Sequence, residues 1–210
     1  MSLTSTLVTD GTSDRALVPI IEHVLSRLPE VAAVRSVVRF AGAQGGDLRE
    51  RISNAMRFFP CDILFVHRDA EGAANENRIA EIANAAPTAS CSTVPVVPVR
   101  MTEAWLLIDA GAIRRAADNP NGSVAISLPR PQDLEAVADP KDVLFGLLVA
   151  ASEKVGRRLK QFRRDLPARR TRVASLIRDF SPLHQLPAFQ RFQADTISAV
   201  KQWCEQQNDT

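Results

Sequence analysis

Apolar and polar positions switch between two periods along the first half of this chain, and the switches outline alternating strands and helices. Residues 3–8 are a short, apolar, Thr-rich run that stops at Asp10-Gly11, which predicts a strand and a turn. Thr12-Ser13-Asp14 then carries helix-capping chemistry. After it Leu17, Ile20, Ile21, Val24, Leu25 and Leu28 recur at helical spacing as far as a stop at Pro29. A second strand is predicted over 34–40 (VRSVVRF), followed by a glycine-rich loop in which Asp47 would cap a helix running to Phe58. Residues 62–67 form a third strand, 77–85 a helix, and 92–100 (STVPVVPVR) a fourth strand. Its two prolines suit an edge, where ladder donors are not needed.

This alternation is the pattern of an α/β fold with a mostly parallel four-stranded sheet flanked by helices. After Glu103 the pattern turns helical. Residues 103–118 read as one helix, 119–131 as a Pro/Asn/Gly/Ser break, and 132–138, 141–152, 156–164, 170–179 and 187–206 as further helices. The expected organisation is an α/β region over 1–110 and a helical C-terminal region over 111–210, packed on or beside the sheet.

In parallel sheets ligands gather beyond the carboxyl ends of the strands. Asp10 follows the first strand, Asp69 and Glu71 the third, and Glu103 the fourth, so three tips carry four carboxylates. Such a cluster suits hard divalent cations, Mg²⁺ or Mn²⁺, which take oxygen ligands and can polarise a phosphoryl group or activate a water. Arg68 and Arg100 stand beside the acids and could neutralise phosphate, as could Lys141 if the helical region folds back. Asp14 and His67 are accessory candidates. Each acid also has a plainer reading: Asp10-Gly11 as a turn, Asp69 and Glu71 as turn and capping groups, Glu103 as a first-turn acid favoured by the helix dipole. Their joint placement at successive tips favours a site.

Composition adds bounds. The 210 residues are 45% hydrophobic, enough for one good core, and the formal charge is +2. Residues 157–173 hold eight Arg or Lys against one Asp, which is either a solvated helix face or a phosphate-binding patch. The three cysteines are widely spaced and form no CxxC, against a zinc site or a disulfide framework. The first residues lack a secretory pattern, and no apolar run approaches the ~20 residues that cross a bilayer. A soluble, cytoplasmic protein without a membrane partner is expected. Walker, GxGxxG and GxSxG patterns are absent, and His23 and His184 have no partner at metal spacing.

LVTDGTSDRALVPIIEHVL resembles the opening of TOPRIM (topoisomerase–primase) domains, where a strand ends in an acid followed by glycine and leads into the first helix. ILFVHRDAEG is similar to the second motif of that family, a strand ending in acid-x-acid. VPVVPVRMTEAWLLID and LPAFQRFQADT resemble a bacterial TOPRIM-like family often found with ABC-type ATPases in anti-phage defence loci. The resemblance covers about residues 5–110 and implies metal-dependent phosphodiester chemistry. Asp10 stands where the family usually has glutamate, as acid/base or metal ligand. Asp69 and Glu71 stand at its Asp-x-Asp metal pair, and Glu103 at a further ligand or orienting position. Both departures keep the carboxylate and change its reach by one methylene, which metal binding tolerates better than proton transfer does.

Two readings of different class follow. One is a Mg²⁺-dependent nuclease of bacterial defence type, with the basic stretch on the nucleic-acid backbone. The other is a non-catalytic TOPRIM-like subunit that regulates, or is regulated by, a partner ATPase; the 5% aromatic content, with no Tyr, offers little stacking surface for single strands. A small-molecule phosphatase is a third reading, and homodimerisation is left open.

Overall fold

The computed structural model describes residues 2–42, 46–70, 75–86 and 91–208. Strands β1 (Ser2–Val8), β2 (Arg35–Gly42), β3 (Ile63–His67) and β4 (Ser92–Val96) form one all-parallel sheet in the order β2-β1-β3-β4. β3 is buried along its whole length because helices cover both faces. Ile63 and Phe65 face one apolar cluster; Leu64 and Val66 face the other. β4 lies at the edge, as Pro95 suggested, but it ends at Val96, before Pro98, and does not reach Arg100 as the pattern predicts.

Each crossover is helical. A 3-10 turn (Thr12–Leu17), α1 (Val18–Ser26) and α2 (Pro29–Ala32) join β1 to β2; α3 (Leu48–Phe58) and α4 (Asn75–Ala85) make the next two links. Asp47 caps α3 by accepting from the Glu50 amide at 2.9 Å, as its position predicts. Pro29 departs from its predicted role. The first helix has already ended at Ser26, and Pro29 opens α2, where its missing N–H has no intrahelical partner to lose.

Beyond β4 come a 3-10 turn (Thr102–Leu106), α5 (Ala110–Ala116), a 3-10 turn (Pro131–Ala136), α6 (Pro140–Ser152), α7 (Gly156–Arg164), α8 (Leu166–Leu176), a 3-10 turn (Ser181–Gln185) and α9 (Pro187–Asn208). The single helix expected over 103–118 is divided, because the Asp109 carboxylate accepts from the Ala112 amide at 2.8 Å and starts α5 afresh. The helix expected over 170–179 begins earlier, with Pro167 accommodated in its first turn.

The helical C-terminus is packed on the sheet. Phe65 of β3 meets Phe192 of α9 edge-on at 6.1 Å, and Trp105 and Phe189 complete the ring cluster. Leu3, Leu7, Phe65, Trp105, Phe192 and Trp203 therefore share one apolar core. Among the described residues no helix is long and apolar enough to cross a membrane. Phe192→Ala removes the ring that joins α9 to β3, and should lower stability by about 3–5 kcal/mol in denaturant unfolding.

Candidate functional site

At the tip of β1 the pairing with β2 slips by one residue, so that Val8 stands opposite Gly42. Such a bulge redirects the chain that leaves the strand. The Thr9 hydroxyl donates to the Gly11 carbonyl at 2.7 Å, and the Gly11 amide donates to Asp14 Oδ2 at 3.1 Å. This tight turn directs Asp10 outward, with its side chain 42% exposed, and folds Asp14 inward.

Asp14 belongs to a buried run of alternating charge. Glu103, 2% exposed, accepts from Arg170 Nη1 in a short ion pair, and Arg170 Nη2 lies 3.8 Å from Asp14 Oδ1. Asp14 Oδ2 is 4.0 Å from His67 Nε2, and His67 Nε2 is 3.3 Å from Asp69 Oδ1. Three carboxylates against two cations leave this run with one excess negative charge when all are ionised. The Asp69 side chain is 32% exposed, yet its Oδ1 is buried and accepts no well-aligned hydrogen bond from the described residues.

The protonation of His67 follows from its contacts. Nδ1 is 2.8 Å from the Val96 carbonyl, which can only accept, so Nδ1 carries a proton. A neutral ring would then turn its bare Nε2 lone pair toward two carboxylates. Burial pushes His67 down, but the Asp69 contact, the charges of Asp69 and Asp14, and the Val96 bond outweigh it, and its pKa is held above the usual value of 6.5. Burial pushes Asp14 up; the opposing pull of His67 and Arg170 only partly offsets burial and the Asp69 charge.

A second, more exposed run surrounds Asp10. Arg51 Nη1 and Arg68 Nη1 both meet Asp10 Oδ1, the second at 3.2 Å. Arg68 Nη2 reaches Glu81 at 3.3 Å, and Arg78 meets the same carboxylate at 2.9 Å. Since Val8 pairs with Val66, Asp10 and Arg68 leave neighbouring strands side by side, which places Asp69 next to this run.

The structure thus brings Asp10, Asp14, His67, Arg68, Asp69 and Glu103 to one edge of the sheet. Glu103 does not face solvent, because Arg170 holds it in the interior. Glu71 lies outside the described residues. Arg100 is half-buried in the turn after β4, where its amide donates to the Pro98 carbonyl at 3.1 Å. Lys141 is exposed on the first turn of α6 with its ammonium 6.0 Å from the Phe145 ring centroid, and no contact among the described residues ties it to the acids.

Sequence reasoning missed Arg51, Glu81 and Arg170. The signal for Arg170 was present: it occupies the apolar stripe of Leu166, Val173 and Ala174 on α8, so its side chain points into the core. The basic stretch accordingly divides. Arg169 and Arg172 pair with Asp118 at 2.7 and 2.5 Å, whereas Arg157, Arg158, Lys160, Arg163 and Arg164 of α7 are exposed and have no ion pair among the described residues.

The ion-pair contacts of both tip acids among the described residues fall on Oδ1, that of Asp69 to His67 and those of Asp10 to Arg51 and Arg68, so the Oδ2 atoms are the ones a divalent cation could take. Among the described residues, no group of three or more His, Cys, Asp or Glu side chains is arranged to hold a metal. No family model, curated protein or solved structure matches the chain.

Arg170→Met would strand two buried carboxylates and should cost about 3–5 kcal/mol in chemical denaturation, with much of the loss recovered in Arg170→Met/Glu103→Leu. The raised pKa of His67 gives stability that is fully present below 6.5 and lost as pH rises through the folded value. Asp14, raised from 3.8, acts with the same sign at lower pH. The melting temperature should therefore fall on raising the pH above about 6.5, and the difference between wild type and His67→Asn should shrink over that window.

Proposed function

We propose that this chain is a TOPRIM-like, Mg²⁺- or Mn²⁺-dependent enzyme that cleaves phosphodiester bonds in nucleic acid. The observation that carries this reading is the position of Asp69, ion-paired through Oδ1 to His67 at the end of a run with excess negative charge and on the strand tip next to that of Asp10. A small hard cation taking oxygen ligands would offset that excess charge. Asp10 and Asp69 would hold it, with Glu71 as a third donor. The parallel sheet and the acids beyond its strand tips support the TOPRIM-like assignment.

When bound, the cation polarises a phosphoryl oxygen and lowers the pKa of an attacking water. The chain's own residues do the rest. The His67 imidazolium holds Asp69 in place, and Arg170 fixes Asp14 behind it. Arg68 and Arg51, both on one oxygen of Asp10, can exchange that carboxylate for a substrate phosphate. The five exposed cations of α7 offer a sequence-independent grip on the backbone.

The pairing of Asp10 with two guanidiniums favours a second reading, in which the acids are structural and the chain is a silent subunit of a partner ATPase. Calorimetric titration of Mg²⁺ and Mn²⁺, with cleavage assays on single- and double-stranded DNA and RNA, separates the two. Asp69→Ala should lose both metal binding and cleavage while keeping its far-ultraviolet dichroism. Cleavage undiminished in that variant would end the catalytic assignment. Metal binding without cleavage, together with a stable ATPase complex, would establish the regulatory reading.

A further inference from the structure

The opposite edge of the sheet holds a second chemical feature, and it stands independently of the catalytic reading. Cys61 precedes β3 and Cys91 precedes β4. These strands run parallel with Ile63 opposite Ser92, so the two segments that enter them lie side by side.

Both side chains are half-buried and pack against the same apolar cluster, beside Met56, Phe59 and Ile79. Cys91 and Thr6 of β1 lie within hydrogen-bonding reach of the Cys61 sulfur. The Cys91 contact, with Thr6, outweighs burial and the nearby charge of Asp62, and brings Cys61 down to about 7. At neutral pH a large share of Cys61 is thiolate, the form that attacks peroxides and disulfides. A thiol with a pKa near ambient pH is also the most effective attacker.

We propose that Cys61 and Cys91 are a peroxide-responsive dithiol that closes to a disulfide, tying β3 to β4 at the amino-terminal edge of the sheet. The Cys61 thiolate attacks one oxygen of hydrogen peroxide. An S–O bond forms, the O–O bond breaks, and the departing hydroxide takes a proton to become water. The Cys91 thiolate then attacks the Cys61 sulfur; the S–S bond forms, the S–O bond breaks, and a second water leaves. Two thiols are oxidised by two electrons, and one peroxide is reduced to two waters.

The test treats the full chain with equimolar hydrogen peroxide, blocks remaining thiols, and maps peptides without reduction. A Cys61–Cys91 linked peptide lacking two hydrogens is expected, with Cys204 still free to be alkylated. Cys91→Ser should leave Cys61 trapped as a sulfenic acid that a dimedone reagent captures. The alkylation rate of Cys61 should rise with a midpoint near pH 7 in the wild type, and at higher pH in Cys91→Ser. Oxidation of wild-type Cys61 to sulfinic acid without pairing would overturn the proposal. So would equal alkylation rates for Cys61 and Cys204 at neutral pH.

Discussion

A buried guanidinium holds this molecule together. Arg170, sent inward from α8, meets Glu103 and lies beside Asp14, and both acids come from segments that leave strand tips. Taking such carboxylates out of water costs several kcal/mol each unless a counter-charge is supplied in good geometry. The sheet cannot supply it, since the nearest strand-borne cation in this run, His67, already stands between Asp14 and Asp69. The carboxyl edge of the sheet therefore closes only when α8 has docked on it. The helical region acts as the electrostatic lid of the acids as well as an apolar cover for Phe65 and Leu3.

The two charge runs divide the labour of that edge. The inner run is dehydrated and fixed, and its members have few alternative partners. The outer run, through Arg51, Asp10, Arg68, Glu81 and Arg78, is partly exposed and can exchange partners at little cost. Asp69, which follows Arg68 in the chain, stands between them and is oriented by the inner run through His67.

The sheet was legible in the sequence because its signals are local. Thr-rich and Val-rich runs, the turn at Asp10-Gly11, the cap at Asp47 and Pro95 of β4 each act within a few residues. The tip acids followed from topology, which places successive strand ends on one edge. What escaped the reading depends on contacts between distant segments. Glu103 looks like a solvent-facing acid until Arg170 arrives from 67 positions away. Arg170 is one of eight cations in a run, and only its place on the apolar stripe of α8 sets it apart from the five that stand exposed on α7. Cys61 and Cys91 are remote in sequence, and only the β3–β4 register makes them neighbours.

The position of Pro95 has a consequence for how this sheet meets other chains. The Val96 carbonyl accepts from the Arg68 amide and so faces β3, which turns the preceding residue's backbone outward. The missing N–H of Pro95 is therefore absent from the free margin of the sheet, not from its internal ladder. An incoming strand would find a gap in the row of donors, and α9 already lies along β4, tied by the bond from Ser92 to Gln202. Strand addition is blocked on that side without loss of internal pairing. Growth of the sheet into a larger assembly is left to the β2 margin, where Arg35 and Arg39 place like charges against a second copy approaching in the same way.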